Sequence, residues 1–174
     1  MSSSVATPVR LSFFLFAAFF LAASFALAIA ANVIGFAKLN ASQLQQTFIS
    51  TGSIKFKSGV GKSGEDLMIA GNVINGISFV GSLFMVAFLG KRSGYLWTSA
   101  VILCIAFIAV ALLIAGAACL TAAVHEGRDL ARLSIIFNDT IAYDTGLWLG
   151  WAAVGTELVA IGILFSAIIF AAFI

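Results

Sequence analysis

The chain has 174 residues, 62% of them apolar and 9% charged, with nine basic and seven acidic side chains and a formal net charge of +2. Globular domains average roughly 45–50% apolar and about 25% charged residues, so these few charges cannot coat a water-soluble particle of this length. Disorder, a secreted scaffold and a cytosolic enzyme are excluded on that ground. A nucleic-acid partner is excluded by the lack of any basic cluster.

A hydrocarbon core about 30 Å thick takes roughly 20 apolar helical residues to cross, and four segments are long enough. The first span is expected from about Leu11 to Ile34, with the single proline, Pro8, just ahead of its helix. Arg10 and the small residues of Ala26-Leu27-Ala28 imitate a signal peptide. The apolar run of about 24 residues exceeds a signal core of about 7–15, so the segment is read as a retained span. The long loop from Gly35 to Asp66 contains two β-branched and aromatic runs, Thr47 to Thr51 and Ser53 to Lys57, around Gly52. A small β-hairpin is expected there.

The second span is placed from Leu67 to Leu89, where Asn72, Asn75, Gly76, Phe79 and Ser82 form a polar and small stripe. A tight turn from Gly90 to Gly94 leads to the third span, Tyr95 to Val124. Helical character continues from Glu126 to Phe137, with Leu130, Leu133 and Ile136 or Phe137 on one side. This is read as the third helix running past the membrane and packing on the hairpin, or else as an amphipathic segment on the outer leaflet. The fourth span runs from Leu147 to Ile174, beyond a loop from His125 to Gly146. No internal repeat or heptad pattern is read in the chain.

The expected fold is therefore an all-α membrane protein: one domain over residues 1–174, a bundle of four transmembrane helices with a small extracellular β-hairpin and an extended third helix. An even number of spans puts both termini on one side. Raw Lys and Arg counts, three on that side (Arg10, Lys91 and Arg92) against six opposite (Lys38, Lys55, Lys57, Lys62, Arg128 and Arg132), favour the reverse topology. Their density close to the span ends without an acid favours the cytoplasm for the termini, and two glycosylation sequons break the tie the same way. The sequons at Asn40 and Asn138 then fall in the outer loops and are glycosylation candidates, Asn138 the better one because Asn40 is close to its helix.

Little in the sequence suggests catalysis or a cofactor. Cys104 and Cys119 sit inside the third span and are read as packing residues, and the single histidine, His125, rules out a His-ligated haem or zinc in the membrane. No metal site, cofactor or catalytic residue is expected.

Glu157 stands apart. It lies ten residues beyond Leu147, about 15 Å into the fourth span. An acid at that depth costs about 3 kcal/mol, against about 6 kcal/mol returned by the span's Leu, Ile, Phe and Val residues. Insertion is favourable, but the carboxyl needs a partner. Asn75, about 12 Å below Leu67, lies at a similar depth, so Glu157 is expected to form a buried polar cluster by accepting from the Asn72 or Asn75 amide. Gly76, Gly146, Gly150 and Gly155 are read as small residues for close helix contact. Tyr95, Trp97, Trp148 and Trp151 are read as headgroup anchors.

The segment Tyr143-Asp144-Thr145-Gly146-Leu147-Trp148-Leu149-Gly150-Trp151-Ala152-Ala153 resembles the entry into the fourth helix of claudins, where Gly-Trp-Ala-Ala follows a glycine and a short apolar run. The plan of four spans, a long first loop, a tight second turn and an overlong third helix is similar to the claudin-like tetraspans, including the fungal Sur and PalI type. The first loop departs from the claudin pattern, having neither Trp nor Cys. The resemblance implies a non-enzymatic tetraspan of the plasma membrane that organises membrane, or acts in adhesion, through self-assembly and outer-loop contacts. Its partners would be the lipid bilayer and copies of itself or other membrane proteins. The alternatives are an accessory subunit of a larger membrane complex and a small proton- or ion-coupled transporter using Glu157.

Overall fold

A computed structural model describes residues 3–40, 59–89, 91–133, 140–143 and 145–173. Four long helices dominate it: α1 (Ser3–Ile34), α2 (Gly59–Phe84), α3 (Arg92–Leu133) and α4 (Thr145–Phe173). All four are long and apolar enough to cross a membrane. Their continuity follows from the solvent, because lipid offers no hydrogen-bond partner and each backbone N–H and C=O must be satisfied within its own helix.

Each helix packs on its chain neighbours, α1 on α2, α2 on α3 and α3 on α4, and α1 closes the ring on α4. The arrangement is an up-down-up-down bundle. Contacts at the two ends fix which termini lie together. Arg10 Nη1 donates to the Leu89 carbonyl at 3.2 Å. The Tyr95 hydroxyl donates to the Arg10 carbonyl at 3.4 Å, and the rings of Phe13 and Phe170 stand 5.7 Å apart. The start of α1, the end of α4 and the α2–α3 turn therefore share one end.

The opposite end holds a two-stranded antiparallel ribbon. Strand β1 (Ala37–Asn40) pairs with β2 (Thr140–Tyr143) in the register Ala37 to Tyr143 through Asn40 to Thr140. It ties the first loop to the third. The hairpin expected at Thr47 to Lys57 lies outside the described residues, as does Asn138; Asn40 closes β1 opposite Thr140.

Other boundaries differ from expectation in ways the local chemistry explains. α1 begins at Ser3, so Pro8 lies inside the helix and not ahead of it. Near the N-terminus a missing N–H leaves the carbonyl four residues back without its helical donor, at a point where few hydrogen bonds have yet accumulated. α2 begins at Gly59 and not near Leu67, carrying Lys62, Glu65 and Asp66 on its first turns. Lys62 Nζ reaches Asp66 at 2.7 Å and Glu65 at 3.9 Å, a helical spacing that lets these charges neutralise one another. The α2–α3 turn is tighter than expected. A 3-10 turn (Met85–Phe88) continues α2, the Lys91 N–H bonds the Phe88 carbonyl at 3.0 Å, and α3 has begun by Arg92. The 42 residues of α3 span about 63 Å, twice the hydrocarbon thickness, so it overruns the membrane as expected.

Large and small side chains are distributed as a membrane demands. Phe16, Phe19, Phe84, Trp97, Phe165 and Phe173 point outward, while Ala17, Ala28, Ala31, Ala106, Ala117, Ala153, Ala160 and Ala167 are buried between helices. Lipid tails are as apolar as Leu, so helices associate where small residues allow close backbone approach, and bulky residues are left to the lipid. Only 28–39% of the most apolar window of each span is buried inside the bundle, and the rest suits a lipid surround.

Candidate functional site

The interior divides into two apolar clusters. The one nearer the ribbon holds Ala28, Ala31, Met68, Leu113, Ala153 and Val154. The one nearer the termini holds Phe14, Leu21, Met85, Tyr95, Leu164 and Ala171. Between them lies a polar layer: Ser24 of α1, Asn75 of α2 and Glu157 of α4, each with no exposed surface. Glu157 is about 18 Å along α4 from Thr145 and about 24 Å from Phe173, which puts the layer near mid-membrane.

Hydrogen bonds link three helices through this layer. Asn75 Nδ2 donates to Ser24 Oγ at 2.7 Å, and Ser24 Oγ donates to the Ala153 carbonyl at 2.9 Å. The same carbonyl accepts from Thr156 Oγ1 at 2.9 Å. Glu157 lies within reach of Ser24. Among the described residues neither of its oxygens has a hydrogen-bond partner, and the Asn75 Oδ1 is likewise without one. The layer holds more acceptors than donors.

The expected bond from an asparagine amide to Glu157 is therefore not formed. The Asn75 amide is spent on Ser24, a residue the sequence reading did not single out, and Ser24 stands between the asparagine and the acid. Asn72 is directed elsewhere. It lines a lipid-facing groove of about 770 Å³ between α1 and α2 with Phe25, Ile29, Gly76, Ile77 and Phe84. Its Oδ1 has no partner among the described residues.

The face of α2 that does turn inward is Gly61, Gly64, Met68, Gly71, Asn75, Ser78 and Ser82. These positions alternate by three and four, a heptad spacing filled by Gly and Ser except at Met68 and Asn75, so the reading that the chain has no heptad pattern is corrected. Searching for large apolar residues at the a and d positions misses it, because in lipid those positions favour Gly and Ser.

The small residues are matched across the seam. A Cβ on Gly116 of α3 would stand 2.8 Å from the Met68 backbone nitrogen and 3.0 Å from the Gly64 carbonyl oxygen. Of the small residues expected at helix contacts, Gly76 lies under the Phe25 ring and Gly150 under the Met68 methyl. A Cβ on Gly146 would collide with the Gly35 carbonyl oxygen and lie 2.8 Å from that of Ala31. Gly35 ends α1 with φ of 92° and its N–H bonds the Ala31 carbonyl at 3.1 Å, a left-handed cap that only glycine adopts without strain. Gly155 differs, for nothing lies within 4 Å of the position its Cβ would take.

The remaining candidates fall on the periphery. Trp97 and Trp148 are exposed near helix starts, as headgroup anchors would be, whereas Tyr95 is fully buried with the Arg10 guanidinium 5.7 Å from its ring centroid. Tyr95 belongs to the interior because its hydroxyl finds the Arg10 carbonyl there. Cys104 is exposed on the outer face of α3 and Cys119 is half-buried, so Cys104 is not a core packing residue. Among the described residues no three His, Cys, Asp or Glu side chains gather as a metal site. Comparison with known proteins finds no family model that matches the chain and no curated protein that matches it.

Proposed function

We propose that the chain is a non-enzymatic, claudin-like integral membrane tetraspan with a structural role, organising membrane or joining surfaces through self-assembly and through the loops at its ribbon end. The observation that carries this reading is the outward face of α4. Gly155 and Gly162 have no atom within 4 Å of an added Cβ. Val159 and Ser166 are exposed on the same side. Gly76, Gly146 and Gly150 serve contacts inside the bundle, whereas this row is left open for a helix from outside it, and close backbone approach is the main source of helix association in lipid.

The four-helix ring, the overlong α3 and the close glycine contacts at the entry to α4 support the claudin-like part of the reading. Plasma-membrane residence, cytoplasmic termini and outward-facing ribbon loops belong to the same proposal. It is tested by native mass spectrometry of the protein extracted in mild detergent. A homo-oligomeric series is expected, collapsing to monomer in the double variant Gly155→Leu, Gly162→Leu. A monomeric wild type would overturn it, and a single discrete complex with other subunits would favour the accessory-subunit role.

A further inference from the structure

The polar layer has an imbalance that the structural role leaves unexplained. Two oxygens of Glu157 and one of Asn75 are buried without donors among the described residues. An unpaired buried acceptor is costly, and an ionised, unpaired carboxylate is far more so. No cation offsets it, since Glu157 makes no ion pair among the described residues. The groups facing it are the Ser24 hydroxyl of α1 and, behind that, the Asn75 amide of α2. The buried residues of α3 from Ile102 to Leu113 are all apolar, comprising Ile102, Ala106, Ala109, Val110 and Leu113.

A single proton reduces the imbalance, leaving one Glu157 oxygen and the Asn75 Oδ1 as unpaired acceptors among the described residues. It removes the charge and turns one acceptor of Glu157 into a donor. Ser24 Oγ can receive it, because a hydroxyl has two lone pairs and only one is taken, by Asn75 Nδ2. A metal cation fits less well. It needs several oxygen ligands, and among the described residues no three His, Cys, Asp or Glu side chains gather as such a set.

We propose that Glu157 is a proton-binding site in the middle of the membrane, with Ser24 as the positioning residue that responds to its occupancy. With the proton in place, the acid O–H donates to Ser24 Oγ, and the Ser24 hydroxyl donates to the Ala153 carbonyl. When the proton leaves for bulk base, the Ser24 O–H turns from Ala153 to the carboxylate. The Ala153 carbonyl is not abandoned, because it keeps its place in the α4 helical ladder and the Thr156 hydroxyl, shared between the Ala152 and Ala153 carbonyls at 3.0 and 2.9 Å, can turn to it. The direct link from α1 to the α4 backbone at this level thus exists in one protonation state and is exchanged for a side-chain link in the other.

The test uses a hydrophobic carbodiimide, which reacts with neutral carboxyls in apolar surroundings, on the full chain in lipid nanodiscs, with modified residues located by mass spectrometry. Labelling of Glu157 is expected at neutral pH and falls as the pH rises, with no protection by sodium at constant pH. Ser24→Ala removes the donor to the carboxylate and moves that profile to higher pH by about one to two units. Ser24→Thr, which keeps the hydroxyl, restores it. Absence of labelling, labelling that does not change with pH, or protection by sodium would overturn the site. An unchanged profile in Ser24→Ala would overturn the role of Ser24. The wild-type measurement does not depend on any variant folding, and it is independent of self-assembly.

Discussion

Ser24 shows how much one small side chain carries in this interior. Its hydroxyl oxygen accepts a hydrogen bond from the Asn75 amide and its O–H donates one to the Ala153 carbonyl, joining α2 to α1 and α1 to α4 with one oxygen. Asn72 and Asn75 looked equivalent in the sequence, one turn apart on the same helix, but only Asn75 is bonded across the bundle. Asn75→Ala is expected to cost about 1–2 kcal/mol, for a lost cross-helix bond plus the void left behind. Asn72→Ala, at the edge of the lipid-facing groove, should cost less than about 0.5 kcal/mol. Reversible unfolding in mixed micelles compares the two, and equal losses would remove the distinction drawn between them. Glu157 itself was legible because an acid in a long apolar run has no counterpart in its span. Its neighbour was not, since a serine amid alanines and phenylalanines is an ordinary residue of membrane helices.

At the scale of the helices, the α2–α3 seam rests on glycines facing backbone. Gly116→Ala would drive a methyl to 2.8 Å from the Met68 backbone nitrogen and 3.0 Å from the Gly64 carbonyl oxygen. Backbone cannot rotate aside as a side chain can, so the helices must part, at a cost of about 1–3 kcal/mol. Gly155→Ala meets nothing within 4 Å inside the bundle and removes a flexible residue from a helix interior, so for the dissociated monomer it should be neutral or stabilising by up to about 1 kcal/mol, while the proposed self-assembly is what the added methyl would weaken. Thermal unfolding of the two variants checks the contrast; a Gly116→Ala protein as stable as wild type would show that the seam is looser than described. The seam was open to discovery in the sequence, because Gly61, Gly64, Met68, Gly71, Asn75, Ser78 and Ser82 keep a heptad spacing. It was overlooked because the pattern lies in residue size and not in hydropathy.

For the whole molecule, the outward surface is the membrane-facing one, and its exposed tryptophans mark depth. Trp97, 75% exposed at the start of α3, and Trp148, 65% exposed at the start of α4, lie at opposite ends of the bundle. Single-tryptophan variants in bilayers are expected to be quenched more by lipids brominated near the headgroup than by those brominated near the chain end. Deeper quenching of either would shift the bundle along the membrane normal. The part of α3 beyond its apolar span, residues 127–133, and the β1–β2 ribbon both lie toward the end away from the termini, so the described residues extend further past the bundle on that side. The ribbon side is where loop contacts of the kind proposed would be made.

Read alone, the residue order determined that there are four apolar segments long enough to cross, where the third and fourth helices start to within three residues, though not where the first and second do, and that one acid lies deep in the last of them. These follow from length and transfer energy, which add residue by residue and need no knowledge of neighbours. Apart from the seam of α2, which face of a helix turns inward was decided only by the tertiary structure. In a soluble bundle the apolar face announces itself, but here both faces are apolar and the choice falls to steric fit between glycines and to hydrogen bonds between distant residues. The pairing of Asn75 with Ser24, across 51 positions of chain, is of that kind. So is the ribbon that joins Ala37–Asn40 to Thr140–Tyr143, since neither short strand has a partner until the helices bring the two loops to the same end.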